Sequence, residues 1–423
     1  MKRLRFFTII ALLLLAFFGI TAAQNRSEAK PPVKMGAAQV NITPDEPIPM
    51  SGYAARNEPS KGVHDQLFAT ALYFTNEKTS LLLITADLIG YSKPFVDETR
   101  KKISAITDIP VENIMITAVH NHGAPVTRAY EKDVPPSVEK YVKALQEKFV
   151  NLAVKASGKP VPFRMGTGKG TCTMNINRRA EFADGGIWLG RAQDKPCDHD
   201  VTVTRFDDMN GKPIAVFINW PCHATTNGQE NYLITADWPG AAARYVKKII
   251  GENTVVAITA GASADINPIY GPGNDFNEIE AVGYHVGKVA METFNKIESQ
   301  PAESLDATSA SLTFPGKKQT KDQFPQKEYE SGPDVELGLT AFRIGHLVLT
   351  GISGELMNEI GSAVKAGSPY SSTVIITHCN GSSGYICTDK AFTEGGYEVK
   401  VTRLMPGSEK PLTGKMLELI NSL

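Results

Sequence analysis

The sequence predicts an α/β fold, and three observations carry that expectation. Short β-branched apolar runs recur along the chain, each closed by small residues, Gly or Pro. Amphipathic stretches with helical spacing lie between them. No shift in composition marks a second domain, so one domain carries the pattern across most of the 423 residues.

The elements follow in order. Residues 1–23 have a basic start (Lys2, Arg3, Arg5), the apolar run "FFTIIALLLLAFFGI" and the small residues "TAA". That is the form of a secretory signal peptide cut after Ala23; the alternative is an uncleaved anchor. The expected location is secreted or periplasmic, with no membrane span left after cleavage. Residues 24–34 are polar with two prolines and read as a linker. The domain proper is expected over 35–423.

Six strands are expected in "SLLLITADLIG", "NIMITAVHNH", "PIAVFINWPCH", "TVVAITAGASAD", "GHLVLTGISGE" and "TVIITHCNGSSGY". "VEKYVKALQEKFVNLAVKAS", "AAARYVKKII" and "ELMNEIGSAVKAG" read as helices. Residues 316–334, rich in Lys, Gln and Pro, read as an exposed excursion.

Composition narrows the partners. The formal charge is −1 and no basic block stands out, so nucleic acid is excluded as a partner. A small molecule or a lipid is the expected one. The five cysteines, Cys172, Cys197, Cys222, Cys379 and Cys387, match no zinc-knuckle spacing. In an exported chain, Cys172–Cys197 and Cys379–Cys387 are the pairs to expect, with Cys222 left as a buried thiol.

Polar residues follow each predicted strand: Asp87, His120 with His122, His223, Asp265, Glu355, and Asn380 with Tyr385. Sites gather at such exits, because rigid strands fix positions that loops leave open. In an extended chain residues i and i+2 share a face, so His120 and His122 should look into one space and Asn121 away from it. Three imidazoles and a carboxylate gathered from three strand ends have the form of a catalytic zinc site with an open position. Each residue alone could be a turn former or a hydrogen-bonded core group.

These residues, in this order, resemble the neutral/alkaline ceramidase family, in its N-terminal catalytic domain. The resemblance rests on "GAAQVNITPDEPIPMSGYAAR", "GVHDQLFATALYF", "TAVHNHGAP", "INWPCHATT", "ISGEL" and "GYICTDKAFTEGGYE", from about Met35 to Glu398. It implies a core of two packed sheets flanked by helices. It implies Zn2+ held by His120, His223, Glu355 and Tyr385, with His122 as general acid/base beside an activated water. Arg178 in "NINRRAEF" and Tyr397 in "GGYE" would meet the oxyanion charge. Asp265, Asn267 and Arg178 would face the substrate. The implied reaction is hydrolysis of an N-acyl amide, ceramide or a related lipid, to a carboxylate and an amine.

Three departures from the family pattern stand out. Asn267 in "ADINPI" occupies the place of a family serine, which puts recognition of a sphingoid head group in question. "HNHGAP" lacks a serine and a glycine of the signature. The family's C-terminal immunoglobulin-like domain has no counterpart after Tyr397, and the stretch from His223 to Glu355 is short. These changes spare the ligand set and alter the substrate set. A small N-acyl compound, an ester or a glycan fragment therefore stays open as substrate, as does a binding protein without catalysis. His64 in "GVHDQ", Asp87, Trp188 and Trp238 read as structural.

Overall fold

A computed structural model describes residues 32–128 and 134–423. The signal-peptide and most of the linker expectations lie outside the described residues. Val33–Leu423 forms one compact unit. No helix among the described residues is long and apolar enough to cross a membrane.

The first half of the unit supplies β1 (Lys34–Asn41), β2 (Phe68–Thr75), β3 (Ser80–Ala86), β4 (Ile114–Ala118) and β5 (Val161–Thr171). It continues with β6 (Asn175–Glu181), β7 (Ile187–Ala192), β8 (Asp200–Asp208), β9 (Pro213–Trp220), β10 (Val255–Ala260) and β11 (Ile266–Pro268). The second half adds β12 (Leu305–Lys317), β13 (Ser331–Ile344), β14 (Leu347–Ile352) and β15 (Ser372–Ile376). The helices are α1 (Lys93–Thr107), α2 (Pro136–Ser157), α3 (Asp237–Ile250), α4 (Phe276–Phe294), α5 (Asn358–Gly367), α6 (Asp389–Glu394), α7 (Tyr397–Val401) and α8 (Glu409–Asn421).

The large sheet runs β10-β9-β8-β5-β1-β2-β3-β4, with Gln300–Pro301 paired to β5 off this path. A second sheet runs β12-β13-β14-β15, and β11-β6-β7 forms a small third one. The two larger sheets pack face to face, and period-2 alternation explains how. In β3, Leu82 and Ile84 face one core, with Phe95 and Ile103 of α1 and Val142 and Phe149 of α2. Leu81 and Leu83 face the other, against Phe342, Leu347, Leu349 and Val374 of the second sheet. Each such side chain contributes roughly 1.5–3 kcal/mol by leaving water, so both faces hold the strand in register.

The outer layers follow the same rule. Val246 of α3 and Val282 and Val286 of α4 cover Val203, Val216 and Ile218 of the large sheet. Ile360 and Val364 of α5, with Leu412 and Met416 of α8, cover Leu337, Leu339 and Val348 of the second. The architecture is therefore helices, sheet, sheet, helices. The large sheet also curls on itself: Thr85 Oγ1 of β3 donates to the Ile258 carbonyl of β10.

All six expected strands are present, and so are the three expected helices. The third helix starts at Asn358, because Glu355–Leu356 pairs in parallel with Tyr385–Ile386. The excursion is shorter than expected. Gly316 and Lys317 pair with Gly332 and Ser331 at the joined ends of β12 and β13, leaving 318–330 between them.

The disulfides are corrected: all five cysteines are free thiols. Cys379 packs between the two sheets, whereas Cys387 packs beneath α5 and α8, so two different cores hold that pair.

Candidate metal centre

β4 ends at Ala118, two residues before the first histidine. The His120–Asn121–His122 turn is therefore not a continuing strand. His120 sits in the left-handed region at φ 61°. The two rings still converge, with Nε2 atoms 3.2 Å apart. Asn121 points the other way, donating from Nδ2 to the Asp87 and Thr235 carbonyls and accepting from the Gly123 N–H through Oδ1. The expected division of faces holds, but a local turn produces it rather than strand pleating.

His223 follows β9. Glu355 and Tyr385 sit in the short parallel pairing, where they are register partners. The side chains of His120, His223 and Glu355 meet at one point. Nε2 of His120 and Nε2 of His223 each lie 3.4 Å from Glu355 Oε2. Backbone carbonyls set both tautomers. His120 Nδ1 is 2.8 Å from the Ile89 oxygen, and His223 Nδ1 is 2.7 Å from the Ser263 oxygen. With Nδ1 donating, each Nε2 presents a lone pair.

Three acceptors thus face one another, and the buried Glu355 Oε2 makes no hydrogen bond. An orphaned buried carboxylate oxygen is costly. A cation among the three atoms would resolve it, so the residues fit a metal ion with N/O ligands. His120, His122 and His223 form one group whose ligand atoms lie within 4.8 Å of one another.

Electrostatics agree with that donor set. Burial drives the His120 and His122 imidazoles well below their ordinary range, so both are neutral. Burial alone would raise the Glu355 carboxyl. A proton on any of the neighbouring His120, His223 or His378 imidazoles acts the other way and pulls Glu355 well below the carboxylate range.

Arg178 organises the other wall. Its Nη1 is 3.3 Å from His223 Nε2 and 3.2 Å from Asn267 Oδ1, and its Nη2 is 3.2 Å from the Tyr385 hydroxyl. Its Nε donates to Glu398 Oε1 at 2.8 Å, and Arg179 Nη1 donates to Glu398 Oε2 at 2.8 Å. One buried carboxylate therefore clamps two consecutive guanidinium groups. Tyr397 opens α7, with its ring centroid 5.8 Å from that of Tyr385 and 5.7 Å from that of Trp188.

Asp265 lies behind this wall. Its carboxylate accepts from the Asn358 N–H and from Asn177 Nδ2, and its carbonyl accepts from the Arg178 N–H. Burial pushes its pKa to about 6. Asp87 Oδ2 accepts from the Phe68 N–H. The His64 ring stacks on Phe276, and Trp238 packs against Trp220 while donating to the His223 carbonyl. Asn380 bridges to the backbone of β4.

Sequence reasoning missed three groups. His378 stacks on His120 at 3.9 Å and forms a second possible ligand group with His120 and Glu355. It stands at the exit of β15, so the strand-exit signal could have found it. Tyr53 and Arg56 were also missed. The Tyr53 ring lies 5.0 Å from that of His122, and Arg56 Nη1 donates to the His122 carbonyl at 2.6 Å. No local pattern signals a contact across such a separation.

Comparison with known proteins agrees with the resemblance. Residues 34–273 match the model of the neutral/alkaline non-lysosomal ceramidase N-terminal domain. The match covers more than half of the chain, so the chain belongs to the neutral/alkaline non-lysosomal ceramidase family. It is 27% identical over 259 residues to the neutral ceramidase of Drosophila melanogaster, covering 56% of this chain and 36% of that protein. It is 23% identical over 311 residues to the neutral ceramidase of Pseudomonas aeruginosa, covering 67% of this chain and 45% of that protein. The chain thus spans less than half the length of these curated relatives.

Two solved structures share the fold. A ceramidase complexed with C2 superposes with a TM-score of 0.78 at 18% identity, over 92% of this chain and 75% of that one. The crystal structure of neutral ceramidase from Pseudomonas aeruginosa gives 0.77 at 19%, over 92% and 74%.

Proposed function

We propose that this chain is a zinc-dependent amidohydrolase that cleaves an N-acyl amide, ceramide or a related N-acyl lipid, outside the cytoplasm. The observation that carries the reading is the meeting of two imidazole lone pairs and an unpartnered carboxylate oxygen at one buried point.

His120, His223 and Glu355 would hold the ion, with Tyr385 at its edge. When bound, zinc polarises a carbonyl oxygen and lowers the pKa of a water towards about 7. The chain's own residues supply the rest. His122, neutral and beside His120, accepts a proton at Nε2 and returns it to the leaving amine. Arg178, held rigid by Glu398, offers fixed positive charge to the developing oxyanion, and the Tyr397 hydroxyl adds a donor. Asn267 is fixed against Arg178 and presents an amide to the substrate. Asp265 supports this wall through the Arg178 backbone.

That polar wall favours a second reading of the substrate. The Asn267 amide and the Arg178 guanidinium suit a compact polar acyl compound as well as a sphingoid head group. Turnover of long-chain ceramide and of short water-soluble N-acyl amides, each with and without chelator, tests both readings. Chelator-sensitive release of amine from either substrate supports the hydrolase, and the ratio assigns the substrate class. Full activity after complete metal removal rejects it.

A further inference from the structure

A second cavity, of ≈ 530 Å³, opens where the large sheet curls on itself. Gln39, Phe68, Thr70 and Thr85 come from β1, β2 and β3, Val256 and Ile258 come from β10, and α3 roofs them. The volume lies within the range of about 300–1,000 Å³ usual for small-molecule sites, and the mouth of a curled sheet is a usual place for one.

The lining has a sided chemistry. Phe68, Val256 and Ile258 give it an apolar floor, and Ala243 adds an apolar patch to the roof. The charges, Asp65, Asp87, Arg244, Lys247, Lys248 and Glu252, stand on the helix side and at one end, and two of them are paired with each other. Arg244 faces Asp65, with Nη1 3.3 Å from Oδ1, and also pairs with Glu280. Asp65 accepts from the Thr235 hydroxyl at 2.6 Å and the Ala236 N–H at 2.8 Å. Asp87 has one oxygen on the Phe68 N–H.

Lys247 differs. Its half-buried ammonium bonds to the neutral Gln39 amide oxygen and lies 5.6 Å from the centroid of the Phe68 ring. Among the described residues no carboxylate lies within salt-bridge distance of it. Glu252 and Asp87 act on it only from beyond salt-bridge distance, and such a cation above an apolar floor suits an anion with an apolar body.

We propose that this cavity is a second ligand site, distinct from the histidine cluster, and that it takes an amphiphilic monocarboxylate. The carboxylate sits on Lys247 and the hydrocarbon lies over Phe68, Val256 and Ile258. The site stands back to back with the histidine turn. Asp87 and Thr235, whose carbonyls anchor Asn121, belong to the wall that separates the two. The proposal stands whether or not the chain hydrolyses amides.

Calorimetric titration of the whole chain with decanoate below its micellar concentration tests it. Saturable binding is expected in the wild type. Lys247→Met should weaken it by roughly tenfold or more, the size of a lost charge-assisted bond. Ala243→Trp, which fills the cavity, should abolish it. Circular dichroism establishes that each variant is folded. His120→Ala should leave the binding unchanged. Absence of binding in the wild type overturns the proposal. So does equal binding in the folded Lys247→Met and Ala243→Trp chains, or binding lost in His120→Ala but retained in Lys247→Met.

Discussion

Glu355 and Tyr385 are register partners in a two-residue parallel pairing, so one scrap of sheet fixes a carboxylate beside two histidines and a phenol beside Arg178. The Glu355 N–H donates to the Gly384 carbonyl at 2.9 Å, which locks the pairing next to both side chains. Gly384 has φ 82°, a conformation that a side chain disfavours. Gly384→Ala should therefore cost roughly 1–2 kcal/mol and loosen Glu355 and Tyr385 together. Thermal unfolding and a zinc-affinity titration check this. Unchanged zinc affinity in a destabilised chain would separate the pairing from the centre.

His122 should be separable from the ligands. Gly52, with φ 96°, lies so close that a Cβ there would meet the His122 ring at 2.4 Å. Gly52→Ala should push that ring aside, and His122→Gln should remove its proton transfer. Both should lower kcat by about 10²- to 10⁴-fold while metal content stays at the wild-type level. Loss of metal in His122→Gln would make His122 a ligand instead.

The clamp on Arg178 should matter for folding as well as for turnover. Glu398 is 1% exposed and forms ion pairs with two buried guanidinium groups. Glu398→Gln should destabilise the chain by about 3–5 kcal/mol, because it leaves buried charge unpaired. Denaturant unfolding measures this. The Glu398 carboxyl is buried, yet Arg178 and Arg179 hold its pKa below the ordinary value. Its stabilisation is therefore present above the ordinary carboxyl pKa and lost as pH falls through the folded one.

Asp87 gives the opposite sign. Burial raises its pKa from 3.8 to about 7. The protonated form is the one the fold prefers, so its contribution is complete below about pH 4 and lost as pH rises to about 7. Asp87→Asn, which keeps an acceptor for the Phe68 N–H, should be more stable than the wild type at pH 8, with the difference vanishing near pH 4. Melting temperatures at the two pH values test the sign.

Much of this was legible in the sequence, for physical reasons. Buried strands with β-branched runs announce themselves, and the polar residue at each exit follows the strand. His120, His223, Glu355 and Tyr385 were accordingly named before any coordinate. Asn121 was placed on the far side for the wrong local reason, since the left-handed conformation of His120 has no pattern in "VHNH". The helices α1, α4 and α8 went unremarked, as did the clamp of Glu398 on Arg178 and Arg179. That clamp joins residues 220 and 219 positions apart, a distance that only packing bridges. The disulfide expectation failed because spacing says nothing about which core a cysteine enters.

The most direct test of the central claim is metal content per chain in the purified protein, measured beside folded His120→Ala and His223→Ala variants. The proposed centre predicts about one zinc per wild-type chain, lost in both variants. A folded wild-type chain that stays metal-free in excess zinc would contradict it.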